Sequence, residues 1–111
     1  MTPEALWSIE FLDNNNNHGG GTAVFYKNQV LGGNNGFTYD GSYRLRKDIM
    51  YIDVYISRFK ADVPGIYKDE FELSVSGKFD DLEYIVTGSP VDDESLILAV
   101  KLRRRAEINY K

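Results

Sequence analysis

Covalent and acid–base chemistry needs a nucleophile beside a base, carboxylates held in unlike surroundings, or a cluster of metal ligands. The sequence has no Cys and a single His, His18. That His sits in the run Asp13-Asn14-Asn15-Asn16-Asn17-His18-Gly19-Gly20-Gly21. The run offers side-chain oxygens and one imidazole, as a metal loop would. Calcium loops, however, carry several carboxylates at alternate positions, and here Asp13 is the only one. The three glycines resemble a phosphate cradle, but no helical pattern follows them to supply a dipole. Positions 13 to 21 therefore read as a mobile, solvated loop. Asp92-Asp93-Glu94 reads as a turn, because consecutive loop positions splay their carboxylates apart. No serine lies in a nucleophile elbow. Asp53, between Tyr51 and Tyr55, reads as an outward strand position among hydroxyls. These residues supply no catalytic, metal or cofactor site, and the expectation is a protein that is not an enzyme.

A chain of 111 residues fits one domain spanning 1–111, and with 42% apolar and 14% aromatic residues it has material for one packed core. Lys and Arg number 13 against 17 Asp and Glu, a net charge of −4. That balance argues against direct binding to nucleic acid, whose partners carry a cationic surplus. No stretch approaches the ~20 apolar residues of a membrane span, and Met1 to Glu10 lacks the basic start of a signal peptide. With the lack of cysteine, this reads as a cytoplasmic protein.

Alternation at period two marks the strands. Trp7, Ile9 and Phe11 alternate with polar residues, and Thr22 to Tyr26 leads through Lys27-Asn28-Gln29 to Val30-Leu31, a tight hairpin in which Asn28 takes positive φ. Phe37 to Tyr43 and Met50 to Ser57 follow, the second being the longest. Residues 60 to 67, with Pro64-Gly65, read as a connection. Then come Phe71 to Val75, Leu82 to Thr87 ending at Gly88-Ser89-Pro90, and Leu96 to Leu102. Eight strands with short connections make an antiparallel meander, and closure removes its two edges. The expected fold is all-β, an eight-stranded antiparallel up-and-down β-barrel, with a two-layer sandwich as the competitor.

On this phase Trp7, Phe11, Phe25, Phe71 and Leu73 belong to the barrel interior, either filling it or lining a void for a small apolar ligand. Ile9, Val75, Leu98 and Val100 share that core phase. Tyr51 and Tyr55 stand on the face opposite Met50, Ile52, Val54 and Ile56 and read as a dimer interface. The corner Arg44 to Asp48 offers Arg44, Arg46 and Lys47 against Asp48 as a partner-binding site for an acidic protein surface. Lys101 and Arg103-Arg104-Arg105 read as rim charge that blocks stray strand pairing, with Arg104 facing away from its neighbours.

The chain also resembles a known family. The resemblance is carried by Leu6-Trp7-Ser8-Ile9-Glu10-Phe11, Gly21-Thr22-Ala23-Val24, Asn28-Gln29-Val30-Leu31-Gly32-Gly33-Asn34 and Tyr39-Asp40-Gly41-Ser42-Tyr43. It continues through Ile52-Asp53-Val54 to Phe59, Leu73-Ser74-Val75-Ser76-Gly77, Gly88-Ser89-Pro90 and Val100-Lys101-Leu102-Arg103-Arg104-Arg105-Ala106. In order, these pieces resemble the GrlR-like proteins, named for a negative regulator of type III secretion. The resemblance implies a small lipocalin-like barrel, a homodimer, and regulation by sequestering a partner protein, in the named regulator a transcriptional activator. That regulator carries an acidic run where this chain has Arg44-Leu45-Arg46-Lys47-Asp48. The charge is mostly reversed there, so the partner itself is left open.

Overall fold

The alternating runs become eight strands in the computed structural model, which describes residues 2–108. They are β1 (Ala5–Asp13), β2 (His18–Tyr26), β3 (Gln29–Gly33), β4 (Phe37–Arg46), β5 (Ile49–Arg58), β6 (Glu70–Lys78), β7 (Glu83–Pro90) and β8 (Leu98–Glu107). Each pairs antiparallel with the next, and β8 returns to β1, closing the barrel. The result is the expected all-β, eight-stranded up-and-down barrel, and it is consistent with a lipocalin-like architecture. No helix among the described residues is long and apolar enough to cross a membrane.

Closure gives every strand two neighbours, so one side of each faces a single interior. Trp7, Phe25, Met50, Val86 and Leu102 are among the residues fully buried there, and Trp7 has 0% of its surface exposed. Phe71, Leu73, Val75, Leu98 and Val100 join the same cluster, and Ile9 and Phe11 pack against it partly buried. The β2–β3 connection is a two-residue hairpin with Lys27 at φ 48° and Asn28 at φ 69°, the pair of positive values that matches the strand twist.

Several local expectations are corrected. The run 13 to 21 is not a mobile loop: β2 begins at His18 and takes in all three glycines. Asp13 is 4% exposed and closes the turn itself. Its Oδ1 accepts the N–H groups of Asn15 and Asn17 at 2.8 and 2.9 Å, and its Oδ2 accepts from Asn17 Nδ2 at 3.1 Å. Burial works against the carboxylate, but these bonds outweigh it and hold the Asp13 carboxyl below its usual range. Asn14 ties the turn to the β7–β8 connection, donating from Nδ2 to Ser95 O at 2.9 Å and accepting from Ile97 N–H at 3.1 Å.

At the other end of β7, Leu82 is 68% exposed rather than inward. Asp80 Oδ2 accepts the N–H groups of Leu82 and Glu83, building a turn that delays the strand to Glu83. That strand then runs through Gly88-Ser89 to Pro90, which faces Leu73 on β6. β8 starts at Leu98 instead of Leu96, because Asn14 occupies the ladder position of Ile97; Leu96 is buried all the same.

Arg104 is not rim charge on an open edge, since β8 is paired on both sides. The β1–β8 register shifts between Leu6 and Trp7, pairing Leu6 with Ala106 and Trp7 with Arg104 and leaving Arg105 as the extra residue of a bulge. Arg104 turns over the Trp7 ring at 4.8 Å. It donates to Asp81 O and Thr2 O, both at 2.6 Å, sealing that end of the barrel.

Candidate functional site

The interior divides into two halves of different content. At the end bounded by the β2–β3, β4–β5 and β6–β7 connections, aromatic rings fill it. Trp7 meets Phe25 at 6.1 Å, Phe79 at 6.3 Å and Tyr84 at 5.1 Å between ring centroids. Phe25 in turn meets Tyr43 at 5.0 Å. Trp7 Nε1 donates to Pro3 O at 2.8 Å, so the one polar atom of the ring is satisfied.

Toward the opposite end the interior is hollow. A cavity of about 340 Å³ is bounded by strand residues that include Phe11, Val54, Ile56, Phe71, Leu73 and Val100. Two features of the sequence create this space. The inward residues of β5 and β6 here are mostly aliphatic, Ile52, Val54 and Ile56 on β5 and Leu73 and Val75 on β6, too short to meet across the barrel. The glycines of β2 then leave room beneath their neighbours: a Cβ on Gly19 would lie 2.7 Å from the Phe11 ring, and one on Gly21 would lie 2.8 Å from Tyr39 Oη. The glycines that looked like loop formers are strand residues chosen for their missing side chains.

The connection between β5 and β6 borders the mouth, with Val63, Pro64, Gly65 and Ile66 forming part of the cavity wall. Arg58 fastens it. Its Nε donates to Asp69 Oδ1 at 2.8 Å, Nη1 donates to Val63 O, and the guanidinium lies 4.8 Å over Phe37. Phe59 N–H donates to Gly36 O at 2.8 Å. Farther along, Lys68 Nζ reaches Asp92 Oδ2 at 2.6 Å, an exposed pair that adds little stability.

Polar groups in the wall are few: His18, exposed at the rim, Asn34, Asn35 and Tyr39. Among the described lining residues none is Asp, Glu, Lys or Arg. Burial pushes the Tyr39 hydroxyl up to about 12, so it is a neutral group throughout the physiological range. No group of three or more His, Cys, Asp or Glu that could hold a metal occurs among the described residues.

Of the five interior positions singled out from sequence, Trp7 belongs to the aromatic plug, Phe25 joins that plug and also floors the cavity, and Phe11, Phe71 and Leu73 line the cavity. Arg44, Arg46, Lys47 and Asp48 are exposed at the plugged end, on the far side of the barrel from the cavity mouth. Arg44 and Arg46 lie within the last three residues of β4, and only Lys47 and Asp48 form the turn, with Lys47 at φ 58°. Tyr51 and Tyr55 face outward on β5. Tyr51 lies under the Arg44 guanidinium at 4.8 Å, and Tyr55 Oη donates to Glu70 Oε1 at 2.6 Å. Asp53 accepts from Ser74 Oγ at 2.7 Å on the same outer face. The structure thus gathers Phe11, Phe25, Phe71 and Leu73 into the cavity wall, leaves Trp7 in the plug, and keeps the cationic corner and the tyrosine pair apart from the cavity.

Sequence reasoning passed over Tyr39, Asn34 and the wall residues 63 to 66. A signal for Tyr39 was present: a hydroxyl in the inward phase between Phe37 and Tyr43 must find a partner or a use. No family model matches this chain, and no curated protein matches it.

Proposed function

We propose that this protein is a non-enzymatic binding protein that takes a small apolar ligand into the open half of its barrel. The single observation that carries this reading is the apolar cavity of about 340 Å³ beneath the β5–β6 connection. Its size is at the lower end of small-molecule sites, which run from roughly 300 to 1,000 Å³. Apolar walls around empty space forgo dispersion contacts, and an apolar guest restores them. Titration with butylbenzene tests the reading. Saturable binding that is lost in Val54→Trp, whose indole would occupy the space, is the expected result. Equal binding by the filled variant would move the ligand out of the barrel and defeat the reading.

A second reading draws on the GrlR-like resemblance: sequestration of a partner protein by a homodimeric regulator. What supports it is an outer row in direct register, Leu6 on β1, Val24 on β2 and Leu31 on β3, with Val24 39% and Leu31 50% exposed. Contiguous exposed apolar surface of this kind marks protein interfaces. The exposed cations Arg44, Arg46 and Lys47 are the candidate contacts for an acidic partner, and Tyr51 and Tyr55 are the other candidate dimer face. A specific dimer would bury more than ~1,000 Å² in total. Sedimentation at tens of micromolar reads it directly: a dimer that Leu31→Lys dissolves supports this face, and a monomer removes the dimer from the reading.

A further inference from the structure

Tyr39 places a hydroxyl in the cavity wall, and its surroundings determine what that hydroxyl does. Asn34 Oδ1 accepts the N–H groups of Gly36 and Phe37, both at 3.0 Å. This fixes the side-chain amide, since only its oxygen can accept. Asn34 Nδ2 must then face the other way, where it donates to Gly20 O and to Tyr39 Oη, both at 3.1 Å. Tyr39 is therefore the acceptor toward Asn34, and its own proton is left to be donated elsewhere. No hydrogen bond from that hydroxyl to another described residue accompanies the one it accepts. The neighbouring wall, including Ile56 and Ile66, is apolar.

The same wall disfavours a charged guest. None of the described lining residues is Asp, Glu, Lys or Arg. Arg58, which fastens the connection at the mouth, is engaged by Asp69 and Val63. A carboxylate or ammonium inside would be desolvated without a counter-charge. Size follows from volume: at about 30 Å³ for each water-sized group, the cavity holds about ten non-hydrogen atoms.

Resting on the reading of the cavity as a ligand site, we propose that its ligand is an uncharged, mostly apolar molecule of about ten non-hydrogen atoms carrying one acceptor oxygen, received by the Tyr39 hydroxyl. Tyr39 is then the specificity-determining residue, and Asn34 positions it. The hydroxyl itself stays neutral across the physiological range.

Three compounds of similar size test it: butylbenzene, which has no oxygen; butyrophenone, which adds a ketone; and 4-phenylbutanoate, which adds a carboxylate. Calorimetric titration of the native protein should show butyrophenone binding about three- to tenfold tighter than butylbenzene, the worth of one net neutral hydrogen bond. The carboxylate should bind weakest. Tyr39→Phe keeps the ring, and its folding is checked by circular dichroism. In that variant the ketone's advantage should vanish while butylbenzene binds as before, a split that loss of packing would not produce. Equal affinities for ketone and hydrocarbon in the native protein, an advantage that survives in Tyr39→Phe, or tightest binding by the carboxylate would each overturn this inference and leave the cavity reading standing. Binding by none of the three would remove both.

Discussion

The two ends of one barrel interior are built from the same alternating strands and are filled differently. At the plugged end, rings from β1, β2, β4 and β7 meet across the axis around Trp7, and Arg104 closes over them. At the open end, aliphatic residues, glycines and the rings of Phe11, Phe37, Tyr39 and Phe71 line the wall, and about 340 Å³ lies between them. Alternation sets only which side of a strand looks inward; side-chain volume, summed across opposing strands, sets whether that side is core or site. The division of labour follows. On the proposed reading, one end supplies stability and the other leaves contacts that a guest would complete.

Substitutions sharpen this contrast. The largest effect is expected at the plug: Trp7→Ala should cost about 3 to 5 kcal/mol, because close-packed rings and the Arg104 contact are lost together. Urea unfolding followed by circular dichroism measures it, and a cost near 1 kcal/mol would mean that the plug is not the stabilising half. Leu73→Ala, on the cavity wall, should cost about 2 kcal/mol, the low end for a buried Leu, since one side of the residue already faces empty space.

Asp13 gives a smaller effect with a distinct pH signature. Asp13→Asn exchanges charge-assisted hydrogen bonds for neutral ones and should cost about 1 kcal/mol at neutral pH. Because the folded carboxyl is depressed, the stability it contributes is complete above the unfolded value of 3.8 and is lost as pH falls through the lower folded value. Asp92 and Asp93 are depressed at the surface and titrate in the same direction. The Asp13 share is therefore the difference between native and Asp13→Asn melting curves. That difference should be constant from pH 7 to about 5 and shrink toward pH 2; a difference that stays constant would show that the turn does not depend on the charge. The smallest change is expected for Val54→Trp, under ~1 kcal/mol, because the indole enters empty space; the same enlargement in a filled core costs ~1 to 3 kcal/mol.

Much of the architecture was legible from residue alternation alone: eight strands, their order and the inward phase that contains Trp7, Phe71, Leu73 and Val100. What escaped did so for identifiable reasons. Gly19 and Gly21 act as breakers when only chain neighbours are considered, yet each is a strand residue whose missing Cβ accommodates a distant side chain, Phe11 from the adjacent β1 or Tyr39 from β4, two strands away. Arg104 was placed on the correct side of its strand, but its contact with Trp7 depends on the β1–β8 register, which bears no mark in either segment. The role of Tyr39 depends on Asn34, five residues earlier, whose orientation is dictated by the turn at Gly36 and Phe37. The hollow itself is a sum over opposing strands.

Amide chemical-shift mapping during a butylbenzene titration tests the division most directly. Perturbations should gather on the strand residues around the cavity, Val54, Ile56, Leu73 and Val100, and on Val63 and Ile66 above it. The signals of Trp7, Phe79 and Tyr84 should stay in place. Shifts centred on Val24 and Leu31 outside the barrel, or spread through the aromatic plug, would contradict the separation of a stabilising half from a binding half.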